Sequence, residues 1–223
     1  MNELMTDFFD RIHSLRPCTE PGHLAEAFAG WSSSTDTAAV RRALSEWLLE
    51  TPALAALSTA ARETPTHYVW PVYAGAGGHS VVINEYKDPL HMGEGYATTL
   101  HNHRYSFATF MLSGGYTQVR CDVQLPPSVR PVRVAEIGED AVTEGGTVTV
   151  DHDAFHRLAD ISAKTMTILV KCPAVKAFSI SVDLRTLMVN KHIPVEARVV
   201  QLMDALAADV TEQARGSKHA RLA

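Results

Sequence analysis

His101 and His103 stand one residue apart in the stretch Gly95-Tyr-Ala-Thr-Thr-Leu-His101-Asn-His103. Side chains on a β-strand alternate between faces, so residues spaced by two project the same way. Two imidazoles on one face can hold a metal ion together, with no turn between them. The chain has 11 His, so the pair gains its meaning from the frame around it. That frame is a glycine six residues before His101 and another eleven after His103, at Gly95 and Gly114. Further on, His152 and His156 lie four apart and would share a face of a continuous strand, among Asp151, Asp153 and Asp160.

This register resembles the first motif of the cupin family, Gly-x5-His-x-His-x3-Glu-x6-Gly. The second cupin motif, Gly-x5-Pro-x-Gly-x2-His-x3-Asn, is similar to the stretch from Gly145 to Asp160. There the glycine and His156 fall in register, while Asp151, Asp153 and Asp160 stand where the family has Pro, Gly and Asn. The resemblance spans roughly residues 66–183. It implies a metal held by His101, His103 and His156, with His152 either donating a hydrogen bond behind them or lying at the surface. Asp160, with Asp151 and Asp153, could orient the ligand imidazoles through their second N–H, or could simply be solvated. Many cupins add the first-motif glutamate as a fourth ligand. Here that position is Phe107, which leaves the site more open and removes a negative charge.

A three-His site of this kind is similar to that of the thiol dioxygenases, cupins whose barrel also follows N-terminal helices. That resemblance implies Fe(II), with O2 as co-substrate. The Ser-x-His-x-Tyr network that some of them carry has no counterpart in Thr167–Pro173, so thiol oxidation is one subclass among several. Imidazole ligands suit zinc and nickel as well as iron. For the substrate, Arg104 and Arg120 are the candidates to grip a carboxylate, because a guanidinium can do so with two parallel hydrogen bonds. Phe107, Thr109 and Met111 should point into the barrel and give it an apolar wall. Tyr73 and Tyr86 either reach the cavity or pack in the core.

The elements that must position these groups read as follows. Residues 1–62 carry helical stripes, such as Leu4, Phe8, Ile12 and Leu15, then Val40, Leu44, Trp47 and Leu48. Ser34-Thr35-Asp36 offers caps for the latter, and Pro17, Pro21 and Pro52 divide the region into four pieces. From Thr66 onward short strands recur between Gly, Pro and Asp turns, at the spacing of a barrel or sandwich. A helical pattern returns after Pro194. The expected fold is mostly β with flanking helices: one domain over 1–223, with a small jelly-roll cupin barrel at 66–190. The helical region 1–62 precedes the barrel, a C-terminal helix at 194–213 closes it, and 214–223 form a tail.

The chain's 223 residues suffice for a full core. Net charge is −5 and no long basic run occurs, which argues against nucleic acid or an anionic membrane as the main partner. Acids occupy the start, where a secretory signal would be basic. The three Cys are widely spaced, without a Cys-x-x-Cys, so a reducing, cytoplasmic setting with unpaired thiols is expected.

Three functions follow. The first is a mononuclear non-haem iron cupin enzyme that uses O2 to oxidise a small polar, amino-acid-like molecule. The second is a redox-inert zinc or nickel cupin acting as a lyase, isomerase or bond-forming enzyme. The third is a small-molecule-binding module without turnover. The expected partners are a small-molecule substrate and O2, and a homodimer is compatible with the sequence.

Overall fold

The computed structural model describes residues 3–14, 23–24, 36–50, 59–75, 77–125, 133–199 and 202–203. Two helices come first, α1 (Glu3–Ser14) and α2 (Thr37–Glu50). In α1 the stripe Met5, Phe8 and Ile12 is buried, and in α2 the stripe Val40, Ala43, Leu44 and Trp47. Both have the i, i+3, i+4 spacing that puts apolar side chains on one helical face. Asp36 caps α2, its carboxylate accepting from the Ala38 N–H at 3.3 Å.

The strands that follow are β1 (Arg62–Glu63), β2 (His67–Ala74), β3 (Ser80–Tyr86), β4 (Leu100–His101), β5 (Phe107–Ser113) and β6 (Gly115–Gln124). Then come β7 (Arg133–Thr143), β8 (Thr147–Val150), β9 (Phe155–Ala159), β10 (Met166–Lys171), β11 (Ser179–Val182) and β12 (Val189–His192). They form two sheets, ordered β1-β2-β3-β10-β5-β8 and β12-β11-β4-β9-β6-β7. Within them, β3 to β10 alternate in the orders β3-β10-β5-β8 and β4-β9-β6-β7, all pairs antiparallel. This is a double-sheet jelly roll, preceded by helices as expected. β1 and β2 widen the first sheet, and β11 and β12 the second.

Period-two alternation divides the first sheet between two tasks. Val81 and Ile83, Phe110 and Leu112, and Ile168 and Val170 face outward and join one core with the helices. Each such side chain, fully buried, contributes about 1.5–3 kcal/mol. Phe9 of α1 closes the contact, with its ring centroid 5.0 Å from that of Trp47 and 5.2 Å from that of Tyr73. Tyr73 thus belongs to the helix side, where its hydroxyl also meets His13 Nε2 at 2.7 Å. The alternate residues of the same strands, among them Val82, Asn84, Phe107, Thr109 and Leu169, line an interior cavity.

The two motif glycines are fixed by their surroundings. Gly114 turns β5 into β6 at φ 70°, and a Cβ there would lie 2.7 Å from the Thr165 Cα. The Gly95 carbonyl accepts from the N–H groups of Thr98 and Thr99, a tight turn that delivers the chain into β4.

The continuous strand expected through His103 is interrupted. After His101 the Asn102 N–H donates to the Ile180 carbonyl, and the Asn102 side-chain oxygen accepts from the Ile180 N–H at 2.8 Å. A side chain thus takes over the ladder's hydrogen bond, and His103 falls in the loop before β5. Of the expected C-terminal helix, the described part begins as a 3-10 turn at Val195–Arg198, and most of the remainder lies outside the described residues. Much of the four-piece reading of 1–62 lies outside them too. Cys121 and Cys172 are both buried. No helix among the described residues is long and apolar enough to cross a membrane.

Candidate metal centre

His101 and His156 are direct cross-strand partners, on β4 and β9. His103 reaches the same point from its loop. The His103 Nε2 lies 3.0 Å from the His101 Nε2 and 2.9 Å from the His156 Nε2. The His101 Nδ1 faces the Thr99 carbonyl at 2.7 Å. A carbonyl only accepts, so Nδ1 carries the proton and Nε2 presents its lone pair. This is the second-atom hydrogen bond that fixes a ligand imidazole's tautomer.

One Nε2 with at most one hydrogen cannot satisfy two neighbouring ring nitrogens at once. Three converging Nε2 atoms are instead a ligand set, and the three histidines can hold a divalent metal ion. Burial keeps them neutral and ready for that. It holds His101 well below the usual histidine range, with His156 nearby adding to the effect. His103 is lowered likewise by burial, then by His101 and His156, with Lys171 and Lys176 contributing. Burial brings His156 down to about 4. The buried His156 Nδ1 has no hydrogen-bond partner among the described residues.

Aromatic rings wall the cluster. Tyr96 stacks 4.1 Å from the His101 ring, and Phe107 stands edge-on 4.7 Å from that of His103. Phe107 therefore occupies the wall beside the ligands, where the related motif has its glutamate. The cluster opens on a cavity of about 350 Å³ inside the barrel. Arg62 and Lys171 line this cavity, and among the described residues no Asp or Glu does. The Lys171 ammonium sits over the Tyr105 ring, 5.1 Å from its centroid. His67, also on the wall, is lowered to about 4 by burial first, then by the positive charge of Arg62, Lys171 and Lys87. Its Nδ1 is tied to the Thr66 hydroxyl at 2.8 Å.

The other residues singled out in the sequence lie elsewhere. Arg104 donates from Nε to the Lys176 carbonyl at 3.0 Å and does not line the cavity. Arg120 pairs with Asp140 at 2.7 Å at the exposed face of the β6–β7 pair. Arg104 lies in the loop between β4 and β5, where no strand alternation aims it at the ion, and the β6–β7 register shifts between Arg120 and Cys121. Met111 is buried against Tyr86, Ala97 and Tyr116, beyond the cavity lining. His152 lies 3.3 Å from both Asp151 and Asp153 and from the Ser106 hydroxyl, apart from the three converging nitrogens. Asp160 adopts φ 49° in the turn after β9, outside the cavity lining. The residues that the sequence did not mark are Arg62, Lys171, Tyr96 and Asn84. Alternation from Leu169 would have turned Lys171 inward, but only with the β10 pairing known.

No family model and no curated protein matches this sequence. Among solved structures, a single-site mutant of Bacillus subtilis oxalate decarboxylase aligns at 16% identity with a TM-score of 0.36, covering 52% of this chain and 28% of that one. A second variant of the enzyme aligns at 14% identity and TM-score 0.36, covering 57% and 29%. The same B. subtilis enzyme, described with Mn(II) centres, aligns at 15% and 0.36, covering 52% and 28%. The chain thus spans less than a third of the length of these structures. A likeness this distant lends nothing to the chemistry, which rests on the side chains.

Proposed function

We propose that the chain is a mononuclear non-haem iron cupin enzyme that uses O2 to oxidise a small polar molecule bearing an anionic group. The observation that carries this reading is the convergence of three neutral Nε2 atoms on the wall of a cavity inside the barrel. His101, His103 and His156 would hold the ion, which when bound supplies one-electron chemistry toward O2. A reaction that places both oxygen atoms in the product needs no outside reductant.

The protein's own contribution is binding and shielding. Arg62 and Lys171 attract and orient an anion at the cavity wall, with no acidic side chain among the described residues there to oppose them. Phe107 and Tyr96 keep bulk water from the imidazoles. The Tyr96 hydroxyl, pushed up to about 12 by burial, stays protonated and donates to the Asn102 carbonyl. Acid–base chemistry is poorly served by the same wall. Among the described residues no carboxylate lines it, His67 is a weak base pinned by threonine hydroxyls, and His192 is held by the Ser181 hydroxyl at 2.7 Å. That supports oxidation over a redox-inert lyase or isomerase reaction on zinc or nickel.

Nitric oxide tests this. Added anaerobically to the iron(II)-loaded protein, it should give the high-spin paramagnetic signal of an iron–nitrosyl adduct, and O2 uptake with candidate amino acids or thiols should depend on iron. Protein that copurifies with zinc, takes up no nitric oxide after iron loading and consumes no O2 would sink the proposal in favour of Lewis-acid chemistry.

A further inference from the structure

Two buried amides face the cavity and play no part in holding a metal. Asn84 on β3 is 6% exposed and Gln118 on β6 is 4% exposed, and both line the cavity from opposite sheets. Neither side-chain amide meets a hydrogen-bond partner among the described residues. Opposite Asn84 on β10, the Thr167 hydroxyl is also buried without a partner. Gln118 sits opposite Leu158, two residues beyond His156 on β9, so it shares the inward face with the metal ligand.

Amides of residues this buried seldom lack a protein hydrogen-bond partner. Pointed into a cavity, they are satisfied by what the cavity holds. Around them, burial keeps the Tyr86 and Tyr116 hydroxyls protonated and brings His67, whose ring lies 5.1 Å from that of Tyr86, down to about 4. Among the described residues, the second sheet, which carries Gln118, lines the cavity with no Lys, Arg, Asp or Glu. Each amide offers both a donor and an acceptor, which is the complement of another carboxamide. Arg62, in one cross-strand row with Val69 and Asn84, and Lys171 supply the positive charge on the sheet opposite Gln118.

We propose that Gln118 and Asn84 form a subsite for an uncharged, carboxamide-like group, so that the substrate is a short acid with an anion at one end and a donor–acceptor group at the other. This rests on reading the cavity as the substrate site, and it is independent of which metal is bound.

The probe is succinamate, a short acid ending in a primary amide. It is compared by calorimetry with 4-methylpentanoate, in which an isopropyl group of the same shape replaces the amide. The full-length protein is used without O2. Succinamate should bind at least about 10-fold more tightly, because a site built to hydrogen-bond rejects the analogue that cannot. In Gln118→Leu and Asn84→Leu that preference should shrink toward about 2-fold, as expected of a purely apolar contact. Melting temperature should not fall in either variant, since no protein hydrogen bond is lost. Equal binding of the two acids, no binding of either, or an undiminished preference in both variants overturns the subsite. Equal binding alongside iron-dependent O2 uptake would remove the subsite and leave the oxidase reading standing. A preference for succinamate in a protein inert toward O2 would do the reverse.

Discussion

His101→Ala, His103→Ala and His156→Ala should each strip the protein of most of its metal, while His152→Ala keeps wild-type stoichiometry. The three ligands meet through Nε2 atoms at 2.9 and 3.0 Å, so each removal opens one side of a shared site. Losing an outer hydrogen-bond partner of a ligand costs ~10–100-fold in metal affinity, and losing the ligand itself should cost more. His152 bonds instead to the turn around it, with contacts to Asp151, Asp153 and Ser106. Equilibrium dialysis followed by elemental analysis measures the effect. His101 and His156 are almost wholly buried, so far-ultraviolet circular dichroism must accompany each variant. If His152→Ala emptied the site and His156→Ala did not, the ligand assignment would be wrong.

The second large effect concerns Phe107. Its ring stands 4.7 Å from that of His103 and 5.9 Å from that of His156, and its strand partner across β10 is Lys171. Phe107→Glu brings a carboxylate to the place where the related motif carries a fourth ligand. Metal should be retained at least as tightly. Anion binding should weaken by roughly 10-fold or more, since the new charge neutralises Lys171 and occupies space at the ion. Turnover should fall with it. Dialysis and calorimetry with succinamate read the two effects separately. Unchanged anion affinity would mean that position 107 faces away from the cavity, a strand register shifted by one residue.

What the sequence disclosed and what it concealed follow from the range of the signals. The jelly roll was legible because short β runs and their turns are local, and a one-residue slip would turn every inward side chain outward. His101, His103 and Phe107 were legible because they share one short stretch whose register resembles a known motif. Asn102 shows where local reading stops: its side chain substitutes for a strand hydrogen bond, which depends on Ile180 far along the chain. The cationic wall was concealed for the same reason. Arg62 belongs to a two-residue strand, and Lys171 faces the site only because β10 inserts between β3 and β5. Arg104 and Arg120 drew notice by proximity in sequence to the ligands, but the Lys176 carbonyl and the Asp140 carboxylate hold them elsewhere.

X-ray absorption at the metal edge, on protein as purified and on His103→Ala, tests the three-histidine centre most directly. The wild type should show three imidazole nitrogens around the ion, at about 2.0–2.1 Å if that ion is zinc. His103→Ala should lose one of them or bind no metal. A shell made of oxygen ligands with no imidazole scattering, or one left unchanged in His103→Ala, would contradict the account.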